Sequence, residues 1–177
     1  PRLRIVQGSL QNPQDLLSAF TGADAVISCL GQRPSLRAFC LGSHFQRHSL
    51  PAIIAAINSA QVPRFILQSS FGSGASAAQA GWFLRTFLYG LIAKKMFDDK
   101  AIAEQALAQC QANWTAVYPV TLVSRPALPT AELTPLNTVQ QVPGIPLLPF
   151  ANVALALLQL LPMQHYAGAK LLLAPPA

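Results

Sequence analysis

The sequence predicts the α/β class, a doubly wound parallel sheet in a single domain, and three observations carry that prediction. Short apolar runs alternate along the chain with helical stretches of about 10–20 residues, the pattern of βαβ units. Several of those runs are continuously apolar rather than alternating, which suits strands buried on both faces. The chain has 177 residues, of which 52% are hydrophobic and 10% charged, against roughly 25% charged in an ordinary soluble domain. That composition excludes disorder and provides for one sizeable core.

The elements follow in order. Leu3-Arg4-Ile5-Val6 reads as a first short strand that stops at Gly8. Asn12-Pro13 opens a helix over 13–20, which Thr21-Gly22 ends, because Asn caps helix starts and Pro suits the first helical position. Ala25 to Leu30 is a partly β-branched apolar strand closed by Gly31. A helix from about His44 to Ala60 carries Leu50, Ile53, Ile54 and Ile57 at spacings of three and four. Arg64 to Gln68 is the next strand, and it ends in Ser69-Ser70 and a glycine loop. A long helical region fills Trp82 to Gln111 and is most regular from Lys95 to Cys110; Trp114 to Tyr118 is a strand stopped by Pro119. The Pro-rich stretch that follows has room for one short strand near Thr138 to Val142. A helix from Phe150 to Leu161 and a strand from Ala169 to Leu173 complete the pattern.

Charge and cysteine content narrow the function classes. Twelve Lys and Arg against six Asp and Glu leave +6, but the basic residues are scattered and form no run, so nucleic acid is not an expected partner. Cys29, Cys40 and Cys110 are odd in number and far apart, which points to neither a disulfide framework nor a zinc site. The uncharged stretch from Ile145 to Met163 is interrupted by Pro146, Pro149 and Pro162 and falls short of the ~20 residues a membrane span needs. No charged n-region followed by an apolar h-region stands at the start of the sequence, so a secretory signal is not expected, and the expected location is cytoplasmic. The apolar helix from Trp82 to Ile92 is the expected surface for any protein partner.

In parallel sheets of this kind ligands sit beyond the carboxyl ends of the strands, and there a resemblance emerges. Ile5-Val6-Gln7-Gly8-Ser9-Leu10, Ala19-Phe20-Thr21-Gly22-Ala23-Asp24-Ala25-Val26-Ile27 and Leu30-Gly31 resemble the V-x-G-D-L … A-x-x-G-x-D-A-V-I-x-x-L-G stretch of the atypical short-chain dehydrogenase/reductases, the NAD(P)H-binding group that includes flavin and biliverdin reductases. Gln68-Ser69-Ser70-Phe71-Gly72 is similar to the S-S-x-G strand end of that family. Lys100-Ala101-Ile102-Ala103-Glu104, followed by Trp114-Thr115-Ala116-Val117-Tyr118-Pro119, resembles its K-x-x-x-E … W-T-x-V-R-P. Asn152-Val153-Ala154 stands where the family often has D-V-A. The resemblance implies a Rossmann-like sheet and NADP or NAD as coenzyme. It also implies that the opening strand, glycine-rich turn, helix and second strand of the family are absent, so that the sheet is N-terminally incomplete and the strand at Leu3 lacks its usual neighbours.

The resemblance also nominates site residues. Ser9 stands in place of the family's aspartate and, with Leu10, Leu30, Gly31, Gln32 and Arg33, falls around the adenosine half of the coenzyme. Arg33 taken alone could equally meet a phosphate or lie solvated in a loop. Ser69 and Ser70 fall beside the nicotinamide, as do Pro119, Val120 and Thr121. Lys100 aligns with the family position that reaches the ribose or nicotinamide, and Ser70 and Lys100 are the expected catalytic pair; a solvated helix lysine is the alternative. The superfamily's Tyr-x-x-x-Lys acid is missing: Tyr89 is followed four places on by Ala93, and Lys94 comes one residue late, about 140° around a helix.

Other motifs carry less. Gly72-Ser73-Gly74-Ala75-Ser76-Ala77 matches a phosphate-binding glycine pattern but lacks the acidic residue about 20 positions on, and reads as a flexible turn. His44 and His48 have metal-ligand spacing, but Phe45 holds the place of the general-base glutamate; no metal is expected. Asn113-Trp114-Thr115 is a formal glycosylation sequon that enters a strand. The functional expectation is hydride transfer from NAD(P)H to a small conjugated acceptor such as a flavin or quinone, which needs little acid from the protein. The alternatives are a non-catalytic coenzyme sensor or assembly scaffold and, last, a pseudodomain without activity.

Overall fold

The computed structural model describes residues 3–31, 44–81 and 94–176. Helix α1 (Pro13–Phe20) begins as its sequence directs, with the Asn12 side chain accepting from the Gln14 amide at 3.1 Å and Pro13 in the first turn. There follow β1 (Ala25–Ser28), α2 (Phe45–Ser59), β2 (Arg64–Gln68), a short 3-10 turn (Gly74–Gln79), α3 (Lys94–Glu104), which continues as a 3-10 turn over Gln105–Gln109, and β3 (Asn113–Pro119). The Pro-rich region contributes β4 (Thr121–Val123), β5 (Glu132–Pro135) and β6 (Leu147–Pro149), and α4 (Phe150–Gln159) and β7 (Ala169–Ala174) complete the order.

Five strands form one sheet in the order β1-β2-β3-β7-β5. The first four are mutually parallel, in the register Val26↔Phe65, Phe65↔Trp114 and Val117↔Leu171. β5 adds antiparallel to β7, and β4 pairs with β6 in a separate two-stranded ribbon. This is the α/β, mostly parallel sheet that the alternating pattern predicts, and the Rossmann-like one that the resemblance implies. The central strands hold the core: Phe65, Ile66, Ala116, Val117, Tyr118, Leu171 and Leu173 are fully buried, packed with Ile57 from α2 and Leu160 at the end of α4. At roughly 1.5–3 kcal/mol per large apolar side chain removed from water, this seam is the main source of stability.

Two sequence expectations are corrected. Leu3–Val6 forms no strand, and Ile5 is 86% exposed. An extended run becomes a strand only when a neighbour completes its hydrogen-bond ladder, and among the described residues no strand pairs with it; there β1, partly exposed along Ala25–Ile27, is the sheet edge. The short strand expected near Thr138 to Val142 is also absent. Leu136–Thr138 is a 3-10 turn, Val142 makes one isolated bridge to Ala80, and the strands of this region lie at Thr121–Val123, Glu132–Pro135 and Leu147–Pro149. The proposed partner helix at Trp82 to Ile92, the Tyr89 and Ala93 positions and Cys40 lie outside the described residues. Among the described residues no helix is long and apolar enough to cross a membrane.

Candidate functional site

β2 and β3 end side by side, so parallel pairing brings Ser69 and Ser70 next to Pro119 and Val120. Two backbone bonds beyond the regular ladder lock the ends together: the Ser69 amide donates to Val117 O at 2.8 Å and the Phe71 amide to Pro119 O at 3.0 Å. The Val120 amide donates to Leu173 O at 3.1 Å, which ties the same corner to β7. A cavity of about 200 Å³ opens here, lined by Ser69, Ser70, Phe71, Phe97, Pro119, Val120, Thr121 and Leu122. One wall is therefore polar and the rest is aromatic, proline and aliphatic, a surface suited to a flat ring with one polar edge.

Lys100, on α3, lines a small pocket behind the strand ends rather than this cavity, and meets the cavity through Ser70, to whose Oγ its Nζ donates. Burial pushes the Lys100 ammonium below its ordinary value, and the negative charge of Glu104, one helical turn on, partly offsets that. Behind the strand ends lies a buried network. Ser69 Oγ donates to Glu104 Oε1 at 2.6 Å, and Tyr118 OH donates to Glu104 Oε2 at 2.7 Å. Burial and the Glu104 charge both raise the Tyr118 phenol, as does its bond to that carboxylate, so the hydroxyl stays protonated. A pocket between this network and Gln46 and Leu50 of α2 has a volume of about 10 Å³, room for no more than a single water.

A second cleft, of about 620 Å³, is lined by Leu10, Gln11, His44, Phe45, His48, Ser49 and Ala52, next to the loop that follows the Leu3 run. The Ser9 hydroxyl accepts from the Gln11 amide at 3.2 Å, and the Ser9 amide donates to Asp15 Oδ2 at 2.8 Å. Leu30 and Gly31 follow β1; Leu30 O accepts from Gln46 Nε2 at 2.8 Å, which fixes the strand end to the start of α2. Gln32 and Arg33 lie outside the described residues. The structure thus gathers Ser69, Ser70, Pro119, Val120 and Thr121 at one cavity, with Lys100 bonded to Ser70 from the small pocket behind it, and puts Leu10 at a second cleft.

Sequence reasoning met Glu104, Tyr118 and Phe71 only as motif positions and gave no site role to them or to Phe97, Leu122 or Gln46. The four-residue spacing of Lys100 and Glu104 places both on one helix face and was the available signal. The apolar wall had none, because Phe71, Phe97 and Leu122 come from three separate segments.

The helix N-termini bear on where a pyrophosphate could sit. The start of α1 is occupied by Asn12 and Asp15. At α2, whose N-cap His44 makes no side-chain cap bond, Asp99 of α3 supplies the cap: its carboxylate accepts from the Gln46 amide at 2.8 Å and pairs with Arg47 Nε at 2.7 Å. Neither terminus is left for an anion. Nor does the Gly72–Ala77 turn cradle one, since the Gly72 amide donates to Ser76 Oγ at 2.9 Å and the Ser73 amide to Ser70 O at 3.1 Å. That agrees with its reading as a turn. Among the described residues no three His, Cys, Asp or Glu side chains gather as a metal site.

A parallel α/β sheet with a cavity at the carboxyl ends of β2 and β3 and a Ser-Lys pair at its rim defines the class of nucleotide-coenzyme-binding folds. The chain belongs to the NAD(P)H-binding family, which matches residues 1–162. Solved structures share the fold over nearly the whole chain. A short-chain dehydrogenase/reductase from Veillonella parvula, in complex with NADP, superposes with a TM-score of 0.75 at 19% identity, covering 96% of this chain and 71% of that one. The oxidoreductase ylbE from Lactococcus lactis gives 0.73 at 18%, covering 97% and 71%. ChuY, an anaerobilin reductase from Escherichia coli O157:H7, gives 0.69 at 19%, covering 97% and 74%. No curated protein matches the chain in sequence. The coenzyme class is therefore NAD(P)H, and the fit to it divides in two. The cavity of about 200 Å³ offers the Ser69 and Ser70 hydroxyls beside an aromatic and aliphatic wall, whereas a pyrophosphate mount is not found among the helix starts and turn just described.

Proposed function

We propose that the chain is an NAD(P)H-dependent reductase that acts on a small conjugated acceptor, of the flavin or quinone kind, in the cytoplasm, where the reduced coenzyme is maintained. The observation that carries this reading is the Lys100–Ser70 contact at the rim of a cavity walled by Phe71, Phe97 and Leu122. The coenzyme, when bound, supplies the hydride. Ser69, Ser70, Pro119, Val120 and Thr121 line its nicotinamide end, and Ser9, Leu10, Leu30 and Gly31, with Gln32 and Arg33, are assigned to its adenosine half.

Lys100 donates the hydrogen bond to the Ser70 oxygen, so the Ser70 hydroxyl hydrogen is free to point into the cavity. Ser70 therefore holds a proton at the cavity wall, and Lys100 replenishes it. The lowered proton affinity of Lys100 favours that transfer near neutral pH. The apolar wall excludes water, which strengthens the pair's electrostatics. Tyr118 takes no part as a proton donor, because it is fully buried and bound to Glu104.

The test follows dihydronicotinamide oxidation with a flavin or a quinone as acceptor. The expected result is turnover by the wild-type chain and a roughly 10²-fold loss in Lys100→Met. The rate should fall as pH rises, because the donor form of Lys100 is lost, with a midpoint below the ordinary lysine value of 10.5. Coenzyme binding without turnover of any such acceptor would sink the reductase reading.

A further inference from the structure

Glu104 does not face the cavity. It is 9% exposed, and its two oxygens are taken by Ser69 Oγ and Tyr118 OH. Ser69 Oγ lies 3.2 Å from Ser73 Oγ, and Ser73 Oγ donates in turn to Ser70 O at 2.7 Å. The turn closes over the carboxylate at Gly74, whose φ is +51°; a Cβ there would overlap Glu104 Oε2. One buried carboxylate therefore joins the end of β2, the glycine turn, β3 and α3. Two cavity-lining residues directly follow contacts of Glu104, Ser70 after Ser69 and Pro119 after Tyr118, and Lys100 stands one helical turn back in the same small pocket as Glu104. Hydrogen bonds to an ionised acceptor are about twice as strong as neutral ones, which suits a group that must fix geometry.

We propose that Glu104 is the positioning residue of the cavity: by holding Ser69 and Tyr118 on its two oxygens and facing Lys100 along α3, it sets where Ser70 and Lys100 stand and keeps Lys100 cationic in a buried place. This rests on the reading of Ser70 and Lys100 as the reacting pair, and it adds the group that orders them. Among the described residues, the ionisable neighbours are few. From β3 comes Tyr118, which remains neutral. The β2 end and the turn offer Gln68, Ser69, Ser70 and Ser73, none of them charged. α2 presents Gln46 and Leu50 to this pocket, its Arg47 is paired with Asp99, and its His44 and His48 line the other cleft. Glu104 is thus the charge that Lys100 answers to.

Trace labelling of Lys100 with acetic anhydride across a pH series, in the full chain and read by peptide mass spectrometry, tests this without coenzyme or acceptor. In Glu104→Gln the Lys100 titration midpoint should drop by about one unit, seen as about tenfold faster labelling below the midpoint. In the double variant Ser69→Ala, Tyr118→Phe, the carboxylate is freed from both donors and turns toward Lys100, so the midpoint should rise. The double variant decides alone if Glu104→Gln does not fold, as circular dichroism reports. An unmoved midpoint in the folded variants overturns the proposal and leaves Glu104 a plain structural carboxylate. Turnover of the same variants separates the two readings: labelling that shifts while the alkaline limb of kcat does not would overturn the catalytic role of Lys100 and leave the positioning intact.

Discussion

The two flanks of the strand-end surface are built in opposite ways. Around Ser69, Ser70, Lys100 and Tyr118, polar side chains are buried and bonded over long sequence separations, 35 residues for Ser69 to Glu104 and 30 for Lys100 to Ser70. Around Ser9 and Leu10 the bonds are local, Ser9 to Asp15 across six residues and Gln11 to Ser9 across two, and the segment before them is exposed. A buried polar group left unpaired costs about 1–3 kcal/mol, whereas an exposed one is solvated. The first flank is therefore rigid only as a whole, and the second only as a loop. Changes to the first should be expensive and cooperative, and changes to the second cheap for stability.

The sharpest test of that contrast is Asp99→Ala. Asp99 is 1% exposed and bonds the Gln46 amide and Arg47 Nε of α2, so its removal strips the cap from α2 and leaves Arg47 without its partner. The expected loss is about 3 kcal/mol, measured as a lower denaturant midpoint at unchanged slope. A loss below about 1 kcal/mol would mean that the two helices are held by apolar packing alone.

Next in size are two glycines. Gly74→Ala must displace the pinned Glu104 carboxylate and adopt a φ of +51°, with an expected cost of about 2 kcal/mol. Gly31, which ends the other flank, has nothing within 4 Å of an added Cβ among the described residues, and Gly31→Ala should change stability by less than about 0.5 kcal/mol. Equal effects in parallel thermal melts would erase the distinction between the flanks.

How much of this was legible in the sequence follows the same division. The limits of α1 and β2 could be read off the chain because an N-cap, a proline and a continuous apolar run act within a few residues. Leu3–Val6 misled because apolarity reports a preference for extended backbone, while strand formation depends on a neighbour the run itself does not specify. β5 escaped notice because Glu132-Leu133-Thr134-Pro135 has one large apolar residue and ends in proline, tolerable only at a sheet edge. At the site, Ser70, Lys100 and Pro119 were legible as strand-end and family-motif positions. Tyr118 was not, since its role comes from a hydroxyl meeting a carboxylate on another element.

The smallest expected effect probes the exposed end of the contrast. Ile5 is 86% exposed and Leu3 75%, so neither buries enough surface to matter to the fold described here, and Ile5→Ser should shift stability by no more than about 0.5 kcal/mol. Solubility should move the other way. Leu3, Ile5 and Val6 form a run of exposed apolar side chains that no strand covers among the described residues, and such runs favour association between copies. Ile5→Ser should therefore reduce concentration-dependent association, read by light scattering, while leaving the thermal midpoint in place. A marked drop in the midpoint would show instead that this run packs on the folded chain and that the contrast between the flanks is one of degree.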